Sequence, residues 1–204
     1  MRVFLAQVFA HALPSELPSA SGTTEVDVRL TADLHLGKMR VEFEGSDGLL
    51  SIGSAMHNLV MGQSLPRGDD PGYSWLCFTV AHGSYSERWR LMSDSDFGGG
   101  PDYAITGIFV EQLKPSLAPR TTCPETPPQF LPASLDKHLW VRSGVAAIKS
   151  LFGLKLPSRG WHRYSNVTKR VDSRGTEWFV HSWLDIKVED GVIVALRAVQ
   201  RTSS

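Results

Sequence analysis

The sequence predicts an α+β protein: an N-terminal, mainly antiparallel β sandwich or barrel, a proline-rich connector, and a C-terminal helix followed by a three-stranded antiparallel meander. Three observations carry this reading. Apolar and polar side chains alternate from Glu25 onward, the period of a half-buried strand. Six of the twelve prolines fall between Pro115 and Pro132. A stripe at helical spacing then runs through His138, Val141, Val145, Ile148 and Phe152.

In the first unit, Val26, Val28, Leu30, Ala32, Leu34 and Leu36 share one face of a strand. The phase then flips to Met39, Val41 and Phe43. A two-residue turn at Gly37-Lys38 explains the flip, with glycine supplying the positive φ of a II′ turn and Leu36 facing Met39. A bulge at Gly37 is the competing explanation. Further strands are read at Tyr73–His82, Glu87–Met92 and Tyr103–Leu113, punctuated by Gly, Pro and Asp turns. Ala55–Gly62 fits either a strand or a short helix. The first dozen residues read as a retained strand, with a secretory leader as the alternative, although Gln7 and His11 interrupt its apolar core.

Proline lacks a backbone donor and restricts the residue before it, so residues 114–133 read as an extended linker between a 1–113 unit and a 134–204 unit. One domain crossed by a long ordered loop is the alternative. In the second unit Ser134 suits an N-cap and Gly153 a helix end. Strands follow, with turns at residues 172–175 and 189–191. A three-residue final loop pairs Val188 with Val192, Ile186 with Val194 and Leu184 with Leu196. A two-residue loop would set Lys187 against Val194 and Asp185 against Leu196, and is rejected on packing. The other face then sets Trp183 across from Arg197 and Phe179 across from Arg201, with His181 beside them.

The chain has 204 residues, 42% hydrophobic and 21% charged, with mean hydropathy −0.13. No apolar run approaches the ~20 residues of a membrane helix. Its zero net charge is a cancellation: residues 1–133 carry 9 basic and 15 acidic side chains, residues 134–204 carry 12 and 6. Nine of the basic residues lie within 137–174, opposed there only by Asp172 and interleaved with aromatics. Lys and Arg neutralise phosphates and aromatic planes stack on bases, so the pattern suits RNA or single-stranded DNA as well as a protein surface. The candidate interface is Arg159, Trp161, Arg163, Tyr164, Lys169, Arg170, Arg174, Trp178, His181, Trp183, Arg197 and Arg201. A solvated face with arginines lying over tryptophans is the bland alternative.

Catalytic patterns are absent from the sequence: there is no GxSxG elbow and no HExxH pair. Cys77 reads as a packed core thiol, and Cys123 as an unactivated one in the connector. Asp94, Asp96 and Asp102, and the pair Asp69-Asp70, read as solvated turn residues rather than calcium ligands. The resulting expectation is a non-enzymatic macromolecular binding protein of inhibitor, immunity or adaptor type, with no cofactor, no metal and no catalytic residue assigned. Its expected partner is a protein, its setting the cytoplasm rather than a membrane. Nucleic-acid binding is the alternative. A hydrolase or metal-dependent enzyme using His57, His82, Asp94 and Asp96 comes third, and mutual docking of the two units fourth.

Overall fold

The computed structural model describes residues 23–26, 30, 33–42, 67–70, 73–94, 106–114, 123–135, 139–153, 159–171 and 173–203. Among them 66% lie in strands and 9% in helical turns, with one α-helix. The expected α+β class is therefore corrected: the protein is mostly β, built on a large mixed sheet. In chain order the strands are β1 (Thr23–Glu25), β2 (Asp33–Leu36), β3 (Met39–Glu42), β4 (Arg67–Asp70), β5 (Tyr73–His82), β6 (Tyr85–Asp94), β7 (Gly107–Leu113), β8 (Ala133–Leu135), β9 (Gly160–Val171), β10 (Glu177–Glu189) and β11 (Val192–Ser203). Eight form one sheet in the order β1-β9-β10-β11-β7-β6-β5-β4, and β3-β2-β8 form a second. Only the β1–β9 pairing is parallel among these.

Strand β5 has the bounds read from its aromatic and β-branched composition. The β2–β3 turn also follows the sequence: Leu36 faces Met39, Leu34 faces Val41, and Gly37 has φ 60°. The described parts of the alternating stretch join different sheets. β1 joins the edge of the large sheet against β9, while β2 enters the small one. Val26 and Leu30 are buried on the way, so the alternation reports burial in a shared core without saying which sheet each half joins.

The helix shrinks to α1 (Val145–Phe152), ended as read by Gly153 in the left-handed region. Residues 133–135 pair with β2 instead, with Leu34 facing Leu135. Arg142 adopts φ 72°, which no helix tolerates. Its N–H donates to the Ile193 carbonyl, the Ile193 N–H donates to Ser143, and the Val145 N–H donates to Gly191. The backbone found partners in β11 that a helix would have supplied internally.

The β10–β11 register also differs from expectation. The loop has two residues, Asp190 and Gly191, both at positive φ (49° and 76°), the signature of a I′ hairpin. A bulge then adds Val194 between the Val188–Ile193 and Lys187–Ala195 pairs. The extra residue restores the apolar phase, so Ile186 faces Leu196 and Leu184 faces Ala198. The packing argument against a two-residue loop held only for an unbulged ladder.

One ladder spans the proline-rich stretch in sequence: β7 pairs with β11, setting Val110 opposite Leu196 and Ile108 opposite Ala198. These four side chains are buried, together with Leu34 and Leu36 of the small sheet and Ile148 of α1, which cover this side of the large sheet. Residues 123–126 run beside β5, with the Thr79 N–H donating to Pro124 and the Thr126 N–H to Thr79. Cys123 forms a disulfide with Cys77 across a separation of 46 residues, which corrects the expectation of two thiols.

Two stability changes follow. A methyl group at Gly37 would collide with the Gln129 carbonyl oxygen and oppose the positive φ, so Gly37→Ala should lower stability by about 2 kcal/mol, read as a drop in melting temperature. Replacing Cys123 by Ser should lower the urea midpoint, with a loss of roughly 3–4 kcal/mol from the released loop. The same loss should appear when the unaltered protein is reduced.

Candidate functional site

The large sheet has two faces. On the outer one, away from the small sheet and α1, successive cross-strand rows set Arg163, Asp185, Arg197 and Phe109 in line, then Ser165, Trp183 and Val199, then Val167, His181 and Arg201. Strand alternation therefore gathers most of the sequence-predicted residues on one surface. Exposure is graded along it. Cys77, Met92, Phe109, Ala195 and Val199 form a buried second cluster, with Trp161, Trp183 and Cys123 half-buried against it. Towards the β9–β10 turn the surface opens, with Val167 49%, Val171 57% and Phe179 38% exposed.

The cations of this face have local partners. Arg163 grips Asp185 with two charge-assisted hydrogen bonds, Nε to Oδ1 at 2.6 Å and Nη2 to Oδ2 at 2.9 Å. These bonds hold the guanidinium above its ordinary pKa. Lys169 meets Glu177 at 2.6 Å, and the Arg201 guanidinium lies 5.5 Å from the centre of the Trp183 ring. Five of the predicted residues fall elsewhere. Tyr164 points into the core, where burial pushes its phenol up to about 12. Arg170 stacks over Trp178 at 5.6 Å on that same side of the hairpin. Arg159 and Arg174 are exposed, Arg159 just before β9 and Arg174 in the β9–β10 turn.

A second site went unread in the sequence. Glu87 lies on the core-facing side of β6, between Tyr85 and Trp89, and is 1% exposed. Its Oε2 accepts hydrogen bonds from the indole N–H groups of Trp89 (2.9 Å) and Trp140 (3.0 Å). Its Oε1 lies 3.2 Å from His82 Nε2, and the Tyr85 hydroxyl hydrogen-bonds the same carboxylate. His82 and Tyr85 face each other across the β5–β6 hairpin with rings stacked at 4.6 Å. Burial, then the Glu87 charge, hold the Tyr85 phenol above its ordinary pKa. Beside them is a half-open pocket of about 450 Å³, lined also by Leu131, Pro132, Ala133 and Val141. The available signal was a carboxylate on the apolar phase of a strand, Tyr85-x-Glu87-x-Trp89-x-Leu91.

Of the expected enzyme cluster, His57 and Asp96 lie outside the described residues, as do Asp102 and residues 1–12. Among the described residues no group of three His, Cys, Asp or Glu could hold a metal, and no helix is long and apolar enough to cross a membrane. Comparison with known proteins returns no match to a family model, a curated protein or a solved structure.

Glu87→Ala would strand two buried indole N–H donors. A loss of about 3 kcal/mol or more is expected in thermal or urea denaturation. A loss below ~0.5 kcal/mol, the range of ordinary surface changes, contradicts this account of the carboxylate.

Proposed function

We propose that the protein is a non-enzymatic binding protein that docks a protein partner through the outer face of β9 and β10, in the manner of an inhibitor, immunity or adaptor protein. One observation carries the reading: Val167, Val171 and Phe179 are exposed on the outer face at the open end of the sheet, around the Lys169–Glu177 pair. Large apolar side chains left in water carry a cost that contact with a partner removes. The charged surroundings suit that role. Arg163 and Lys169 are already paired with Asp185 and Glu177, so they offer a polar rim rather than free phosphate ligands. Arg201 and Arg170 occupy faces of Trp183 and Trp178 that stacked bases would need. Both points favour a protein over a nucleic acid. The Cys77–Cys123 disulfide favours an oxidising compartment over the cytoplasm for this activity.

The test is capture of partners from the native host by wild type and by a Val167→Asp, Phe179→Asp double variant. Wild type should retain a specific protein that the folded variant loses by roughly ten-fold or more. Equal capture by both removes the interface. Binding of single-stranded oligonucleotides that weakens steeply with salt would favour the nucleic-acid reading instead.

A further inference from the structure

We propose that the outward edge of β9, residues 167–171, takes up an extended segment of the partner as an added antiparallel strand. That segment sets a carboxylate side chain opposite Lys169 and apolar side chains opposite Val167 and Val171. The proposal names the partner's binding element at the docking surface above and rests on that reading.

The backbone supplies the template. β1 accompanies β9 only as far as Ser165, whose carbonyl accepts the Val26 N–H. The Val26 carbonyl, which a continuing ladder offers to a β9 N–H, accepts from the Asn166 side-chain amide at 2.9 Å. Backbone groups alternate along a strand, so the N–H and C=O of Val167, Lys169 and Val171 point to the same edge as those of Ser165. Among the described residues nothing pairs with them there. The N–H and C=O of Thr168 and Arg170 turn the other way, towards Val180 and Trp178 of β10.

This part of β9 also stands clear of the core. Tyr164 is buried on the inner face, whereas Thr168, on that same face one strand repeat further along, is exposed. Val167 and Val171 are exposed on the outer face. The edge is thus reachable from both sides of the sheet.

Charge chooses the occupant. A second copy of β9, paired antiparallel so that Val167 met Val171, would set Lys169 opposite its own counterpart, and like charges directly opposite destabilise a sheet. Lysine on an edge is a device against self-pairing of this kind. The same lysine favours a foreign strand whose central side chain is acidic. Arg170, lying over Trp178 on the inner face, adds a second cation beside the edge. The bond from Lys169 to Glu177 does not prevent the exchange. Both side chains are about half exposed (51% and 56%), and ion pairs of that kind contribute little. Glu177 lies on β10, one strand in from the edge, and an ammonium group has three donors to share between two carboxylates.

The full-length, disulfide-intact protein is mixed with a blocked heptapeptide, Thr-Val-Thr-Glu-Thr-Val-Thr, and amide hydrogen exchange is followed residue by residue by NMR. Two control peptides carry lysine in place of the glutamate, or N-methyl groups on the glutamate and both valines, the residues that bond the edge. Without peptide, the amides of Val167, Lys169 and Val171 should exchange roughly ten-fold or more faster than those of Thr168 and Arg170. The glutamate peptide should slow those three amides saturably and bind roughly five-fold more tightly than the lysine peptide. Lys169→Glu should reverse that preference, and the N-methylated peptide should protect nothing. Protection of the three amides in the free protein, no saturable slowing by the glutamate peptide, equal binding of the glutamate and lysine peptides, or slowing that survives N-methylation overturns strand addition. Docking through the outer face has a separate readout. Partner capture that is lost in the Val167→Asp, Phe179→Asp variant, with no peptide protection of the edge, keeps the face and removes the added strand.

Discussion

The ladder between β7 and β11 is the constraint on which the rest of the structure depends. It joins strands lying on either side of the proline-rich stretch and sets Val110 against Leu196 and Ile108 against Ala198, all of them buried. Gly107 marks how closely the two strands approach, since a methyl group there would come within 2.5 Å of the Ala198 carbonyl oxygen. With this ladder in place the β4–β7 and β9–β11 strands form one surface, and a single core can be covered by the small sheet and α1. The oppositely charged halves of the chain thus meet along backbone hydrogen bonds and apolar side chains.

A sheet covered on one side must resolve its other side differently. Here the resolution changes along the sheet. Near its middle the outer face has its own apolar cluster, beside which Cys77 is bonded to Cys123. Next come charges neutralised within the face: Arg88 and Arg90 share Glu111, and Arg163 holds Asp185. Burial pulls Arg90 down to about 10, which still leaves it charged at neutral pH. At the β9–β10 end Lys169 meets Glu177, and the apolar side chains of Val167, Val171 and Phe179 around that pair face solvent. That gradient is why the proposed docking surface is the open end rather than the whole basic region.

Glu87 poses the opposite problem, a carboxylate on the buried side of a strand. Leaving it unpaired there would cost several kcal/mol, so its hydrogen bonds are a condition of folding. The donors come from three places: the β5–β6 hairpin supplies His82 and Tyr85, β6 supplies Trp89, and the chain before α1 supplies Trp140. One side chain therefore ties the hairpin to the segment 139–143, and the half-open pocket lies where these pieces meet. A polar group with this many buried partners specifies geometry more sharply than an apolar contact of equal area.

What the sequence by itself determined is local. The bounds of β5, the Gly37 turn with Leu36 facing Met39, and the stop at Gly153 each depend on a few adjacent residues and their backbone preferences. The gathering of Arg163, His181, Trp183, Arg197 and Arg201 on one face was legible for the same reason, because strand alternation is itself local. Tertiary structure decided the rest. The helix expected between Ser134 and Gly153 is observed at Val145–Phe152, while residues 133–135 pair with β2 and Arg142 and Ser143 bond Ile193 of β11, partners that no window of neighbouring residues contains. The bulge at Val194, the Cys77–Cys123 bond and the partners of Glu87 likewise depend on groups distant in sequence. Local patterns state what a residue prefers to bury, and the folded chain decides what it is buried against.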